Sequence, residues 1–235
     1  MTLADIALAR YRIAPYLSPT PLEAAAGLGD GVCLKLENTN KTHSFKIRGA
    51  LNAALALDAA GRERGLIAAS SGNHAQALAY GAQQVGARAR ILMPEHTPQR
   101  KVDGVRRYGG EAVLFGRSYD ETEAEARRQQ AAEGMTFVSP YNDAHVAAGA
   151  GTIGLEILEQ MPDVERVVVC VSGGGLIAGI ATAVKSLRPD VEVIGVNADT
   201  SPGMYNAFYN DNLSHNNDTL AEALSGDIEA GCITV

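Results

Sequence analysis

Val167-Val-Val-Cys-Val-Ser172-Gly173-Gly174-Gly175-Leu176-Ile-Ala178 opens a stretch of 18 residues, running to Val184, without a single charge. That length could span a bilayer. Ser172 and the three glycines split it, however, into a five-residue, mostly β-branched run and a second apolar half. A buried strand, a tight turn and a buried helix account for it better than a membrane span. Glycines in such a turn let backbone N–H groups approach an anion, and the helix that follows adds about half a positive charge at its N-terminus. A turn of this kind also exists with no ligand. A third reading is a dinucleotide fingerprint, since Gly173, Gly175 and Ala178 satisfy G-x-G-x-x-A. That reading wants an acid at the end of the next strand. The chain offers Gly195-Val196-Asn197 there, with Asp199 two residues later.

The same alternation extends outward in both directions. Short apolar runs at 32–36, 66–69, 89–93, 111–115, 136–138, 166–171 and 191–196 predict strands. Helical periods fill 45–57, 74–85, 98–108, 119–133, 151–160 and 176–187, with Ser44 standing where an N-cap belongs. Strands alternating with helices of ten or more residues imply βαβ crossovers and a mostly parallel sheet, that is, an α/β fold. Ligands then bind where strand C-terminal ends meet helix N-termini. There is no Pro/Ser-rich linker, repeat or low-complexity tract, so a second domain would be inserted within the fold.

Composition narrows the function classes. With 20 Lys+Arg against 27 Asp+Glu, the net charge of −7 argues against nucleic acid or an anionic membrane as partner. Aromatics are 5% with no Trp, too few for base-stacking platforms. Cys33, Cys170 and Cys232 are odd in number and far apart, giving neither a disulfide framework nor a metal knuckle, which suits a reducing cytoplasm. Asp5, Arg10 and Arg12 interrupt any apolar signal core near Met1.

Two further motifs can carry chemistry. Ser70-Ser71-Gly72-Asn73-His74 lies between a strand and a helix, where N–H groups and hydroxyls can receive a carboxylate; an ordinary N-cap is the simpler reading. Ser44-Phe45-Lys46-Ile47-Arg48-Gly49-Ala50 puts a lysine in the first turn of a helix, where the dipole disfavours its charge and lowers its pKa. The alternative there is a solvated lysine. His43, His74, His96, His145 and His215 show no metal-binding spacing, and neither a G-x-S-x-G elbow nor a Walker loop occurs.

In this order and spacing the three motifs resemble the threonine/serine dehydratase and serine racemase family of pyridoxal 5'-phosphate (PLP) enzymes. The resemblance extends from Thr20-Pro21-Leu22 through Ala148-Gly149-Ala150-Gly151-Thr152 to Val193-Ile194-Gly195-Val196. It implies fold type II, the tryptophan synthase β-like fold. A large PLP-binding domain (1–47 and 139–235) would carry an inserted smaller α/β domain (48–138). It implies that Lys46 forms the internal aldimine with PLP and acts as base at Cα. Phe45 flanks the ring, Asn73 bonds the phenolic oxygen, and Ser172, Gly173, Gly174, Gly175 and Leu176 cradle the phosphate. Ser70, Ser71, Gly72, Asn73 and His74 hold the carboxylate of a small amino-acid substrate, with Ser71 on the opposite face of Cα. The protein is then expected to be a cytoplasmic homodimer.

Against that family pattern, Ser172 stands for a glycine, Ala150 for a glutamine, and Asn197 where racemase members place a cation-binding acid; no metal is expected. Family members also continue beyond the point matching Val235, so the large domain is expected to be incomplete at its C-terminus. The expected activity is an ammonia-lyase converting L-threonine or L-serine to 2-oxobutanoate or pyruvate and ammonia. A racemase or hydroxyaspartate dehydratase on the same scaffold, an inactive PLP-binding remnant, and a nicotinamide-dependent oxidoreductase are the alternatives.

Overall fold

The computed structural model describes residues 1–214, 216, 218–225, 228 and 231–234. His215 and Val235, both named above, lie outside the described residues. The chain divides into two compact units, residues 9–140 and residues 1–8 with 141–235. Helix α1 (Leu3–Ile13) begins in the second and ends in the first.

Residues 9–140 are built around a four-stranded parallel sheet. Before it come an antiparallel pair, β1 (Leu22–Ala24) and β2 (Cys33–Lys35), then helices α2 (Lys46–Leu55) and α3 (Ala59–Arg64). The sheet takes β3 (Leu66–Ala69), β4 (Ala89–Met93), β5 (Glu111–Leu114) and β6 (Thr136–Phe137) in the order β5-β4-β3-β6, and helices α4 (Asn73–Val85), α5 (Gln99–Arg107) and α6 (Tyr119–Glu133) connect them. Leu66 pairs with both Ala89 and Thr136, so β3 is central. All four of its side chains are fully buried, as an apolar run in a parallel sheet requires. Ile67, Ala69, Leu92 and Phe137 pack on Ala126 of α6, and each large side chain so buried contributes roughly 1.5–3 kcal/mol. Helix α4 packs against α2 closely enough that a Cβ on Gly81 would lie 3.1 Å from the Ala50 carbonyl oxygen.

In the other unit, α7 (Ala144–Gln160) leads to β7 (Arg166–Cys170), α8 (Gly175–Leu187), β8 (Glu192–Val196) and α9 (Gly203–Tyr209). Strands β7 and β8 pair in parallel, Arg166 opposite Glu192 and Cys170 opposite Val196. Helices α7 and α8 touch backbone to backbone: a Cβ on Gly179 would collide with the Ala147 carbonyl oxygen and lie 2.6 Å from the Gly151 nitrogen.

Three expectations need correction. Ser44 is not the N-cap of α2; Phe45 is, with no side-chain cap, and the Ser44 hydroxyl is buried without a partner. Helix α7 starts seven residues before Gly151, at Ala144, capped by the Asp143 carboxylate, which accepts from the Val146 N–H at 2.9 Å. Gly151 does not break it; a Cβ there would lie 2.9 Å from the Gly179 carbonyl oxygen of α8, so closeness to α8 is what this glycine provides. The β7 run is buried on one face only: Val167 and Val169 are inside, while Val168 is 64% exposed and Cys170 is exposed on the other.

Candidate active site

Within residues 9–140, Lys46 opens α2, so its side chain leaves the backbone at the positive end of the helix dipole. Its Nζ donates to the Pro140 carbonyl oxygen at 2.7 Å and lies 5.0 Å from the centre of the Phe45 ring. Burial pushes the ammonium pKa down to about 8. The acceptor is a neutral carbonyl, so nothing anionic at this contact restores the charged form. Two positions on, Arg48 is almost fully buried and grips Glu37 with both arms, Nε to Oε2 at 2.7 Å and Nη2 to Oε1 at 2.8 Å. Thr20 Oγ1 and Asn40 Nδ2 also donate to that carboxylate, at 2.6 and 2.9 Å. This network anchors the first turn of α2 from below and so fixes where Lys46 emerges.

The Ser70–His74 segment joins β3 to α4. Ser70 is buried, its N–H held by the Leu92 carbonyl at 3.0 Å and its hydroxyl accepting weakly from the Gly72 N–H at 3.4 Å. Ser71 and Gly72 are half-buried and Asn73 is exposed. Gly72 is the N-cap position and supplies no side-chain cap to the first-turn amides of α4. His74 is buried, with Nε2 3.0 Å from the Val138 carbonyl oxygen. A carbonyl only accepts, so Nε2 carries the proton and Nδ1 is a bare, buried acceptor without a partner. Burial first, and then the nearby Lys46 charge, hold the imidazole pKa down to about 3, which keeps the ring neutral at physiological pH.

The glycine loop lies in the other unit, between β7 and α8. Gly174, at φ +85°, is the N-cap of α8 and offers no side chain, leaving the helix N-terminus open to an anion. Gly173, Gly174 and Gly175 are buried, and each lacks room for a Cβ: one on Gly173 would enter the Tyr141 ring, one on Gly174 would meet Thr234 and Met204, and one on Gly175 would lie 2.5 Å from the Tyr141 carbonyl oxygen. Ser172 and Leu176 are half-buried. Asn197 donates to the Val171 carbonyl at 3.0 Å, and among the described residues no cluster of three metal-ligating side chains occurs.

The structure thus gathers Phe45, Lys46 and Ser70–His74 in one unit and Ser172–Leu176 in the other. Sequence reasoning missed the Pro140 carbonyl, the Glu37–Arg48 network and the bare His74 Nδ1. Arg48 beside Lys46, in a helix otherwise rich in small residues, was the one available signal.

A parallel sheet, a desolvated lysine on a helix start and a glycine-lined helix N-terminus point to a class. From residue 13 to 235 the chain matches the family described as pyridoxal-phosphate dependent enzyme, and it belongs to that family. Among its relatives are the L-threonine ammonia-lyase of Thermotoga maritima, 47% identical over 208 residues, and a putative threonine dehydratase of Sinorhizobium fredii, 45% identical over 208 residues. Each match covers 87% of this chain and 52% or 63% of the relative, so the chain spans about half to under two thirds of their length. Solved structures agree in fold. The processed threonine deaminase isoform 2 of Solanum lycopersicum has a TM-score of 0.88 at 37% identity, covering 95% of this chain and 62% of that one. Serine racemase of Dictyostelium discoideum has 0.90 at 30%, covering 98% and 76%. The fold is therefore the fold type II architecture of this family.

The family's cofactor is PLP, and the residues present fit it. An aldehyde needs an amine that loses its proton readily, which Lys46 supplies, and a phosphate needs open amides at a helix N-terminus, which the start of α8, without a side-chain cap, supplies.

Proposed function

We propose that this chain is a PLP-dependent ammonia-lyase, a dehydratase that converts L-threonine, L-serine or both to 2-oxobutanoate or pyruvate with release of ammonia. The observation that carries the reading is the Lys46 amine, held at 2.7 Å by a neutral carbonyl and poised near pKa 8. Similarity to a threonine ammonia-lyase and a threonine deaminase supports the substrate.

When bound, PLP supplies an electron sink for the pair left at the substrate's Cα. The chain's residues do the rest. Lys46 would hold the cofactor through its Nζ, and its amine would serve as the base at the substrate's Cα. Phe45 would flank the pyridine ring, and Asn73 would donate its side-chain amide to the phenolic oxygen. The amides of Ser172, Gly173, Gly174, Gly175 and Leu176 would hold the phosphate. Ser70 shapes the turn through its bonds to Leu92 and Gly72, so the free amides around Ser71, Asn73 and His74 are the ones that receive the substrate carboxylate.

We also propose a division into a PLP-binding domain (1–47, 139–235) and a small domain (48–138), together with a cytoplasmic, homodimeric protein. Three free cysteines support the reducing compartment. A racemase activity is the second reading, supported by the similarity to serine racemase; Ser71, half-buried at the start of α4, is then the group on the opposite face of Cα.

The test is an absorbance titration of the purified chain with PLP, then L-threonine, alongside Lys46→Ala. The expected result is a band at the visible–ultraviolet border that Lys46→Ala lacks, followed by keto acid in solution. The same band in Lys46→Ala would overturn the lysine assignment. A band without keto acid would overturn the lyase for this chain.

A further inference from the structure

The glycines of the 172–176 loop divide by what stands in their way. At Gly173 the atoms nearest a built Cβ are all side-chain atoms of one residue, Tyr141, with Cδ1 and Cδ2 at 2.7 and 2.6 Å. At Gly175 they are backbone atoms of the same residue, the carbonyl oxygen at 2.5 Å and Cα at 3.0 Å. At Gly174 they belong to Thr234 and Met204, and φ +85° independently favours glycine. The Tyr141 ring therefore lies flush on the Gly173 backbone, while its main chain passes under the first residue of α8.

We propose that Tyr141 is the positioning residue of the phosphate loop. Its ring is the template that presses the Gly173 peptide into the path leading to the open N-terminus of α8, and its main chain sets how close that N-terminus can come. Gly173 is then glycine because of the tyrosine ring, and not because a bound phosphate needs the space. Glycine at 175 answers to backbone that no side-chain change at 141 can move. The inference rests on the reading of residues 172–176 as the phosphate site, but it makes a separate, steric claim that holds with the site empty.

The experiment uses the full chain without cofactor and reads two quantities: the thermal midpoint in phosphate-free buffer, and the dissociation constant of inorganic phosphate by calorimetry. The variants are Gly173→Ala, Gly175→Ala, Tyr141→Ala, Tyr141→Phe and the two doubles with Tyr141→Ala. Gly173→Ala should lower the midpoint and weaken phosphate by about tenfold or more, the size expected when touching groups are forced apart. Adding Tyr141→Ala should return both readings to those of Tyr141→Ala alone. The same addition should not rescue Gly175→Ala. Tyr141→Phe, which keeps the ring, should hold phosphate within about threefold of wild type, while Tyr141→Ala loosens it with a smaller change in midpoint. If Gly173→Ala does not fold, recovery of a folded double variant is itself the expected rescue. Additivity of the Gly173 and Tyr141 changes, or rescue of both glycine variants alike, would overturn the template. If wild type binds no phosphate, the loop's proposed role falls, and the midpoint rescue alone decides the steric claim.

Discussion

Removing the charge of Glu37 should cost more stability than removing that of Arg48, although the two form one ion pair. Arg48 is 1% exposed and Glu37 15%. In Glu37→Gln the guanidinium stays buried with no anion in the network, and stranding a buried charge costs about 3–5 kcal/mol. In Arg48→Met the carboxylate keeps its donors Thr20 and Asn40 and reaches water at one edge, while the methionine refills most of the volume; the loss should be about 1–3 kcal/mol. For a chain of this size the first change lowers the melting temperature by about 6–20 °C. The double variant should be more stable than Glu37→Gln alone, because its remaining groups are no longer an uncompensated pair. Urea unfolding followed by far-ultraviolet circular dichroism measures all four forms. A Glu37→Gln form within about 1 kcal/mol of wild type, or strict additivity in the double, would refute the argument that Arg48 depends on this carboxylate.

Other outcomes follow from the same geometry. Labelling of Lys46 by a small aldehyde should rise through a midpoint near pH 8, against 10.5 for an ordinary lysine; at pH 7.5 about a quarter of the amine is already neutral. Since the unfolded lysine keeps its proton to higher pH, stability should climb between pH 8 and 10.5, and Lys46→Met should flatten that rise in a melting series. His74 runs in the acid direction: neutral when folded down to about pH 3 and protonated from 6.5 when unfolded, it should drain stability as pH falls from 6.5 towards 3. His74→Gln, which keeps a donor for the Val138 carbonyl, should lessen that slope in acid titrations. Gly179→Ala should cost about 2–3 kcal/mol or more by prying α8 from α7, read as a lowered urea midpoint; an unchanged midpoint would deny the backbone contact.

What the sequence disclosed, and what it withheld, follows from range. The strand–glycine–helix unit at 166–187 is local, and the apolar run, the glycines and the apolar helix each announce themselves; α8 begins at Gly175, one residue from expectation. The start of α7 lies seven residues before the helical span expected from 151, and the reason for Gly151 within it lies in Gly179, about thirty residues away. Ser44 reads as a cap by type, but its hydroxyl is turned inward and the chain caps α2 with Phe45. For the site, the residue types at 44–50, 70–74 and 172–176 were legible. The electrostatics were only half so: the helix dipole was readable, but the burial of Lys46 and its seat on Pro140 depend on a residue 94 positions later. Nothing in the residues around Tyr141 announces its contact with Gly173, about thirty residues on.

The order in which the ribosome delivers these parts has its own effect. Residues 9–140 form one continuous unit, whereas Ile6 is fully buried in the other, its side chain against Gly151 of α7. At about 5–20 residues per second, roughly 145 residues must be made after Ile6 before that seat exists, a wait on the order of ten seconds. Throughout it the apolar face of the first two turns of α1 stays open to other chains and to chaperones. Substitutions there should therefore change the yield of folded protein during synthesis more than the melting point of the finished chain.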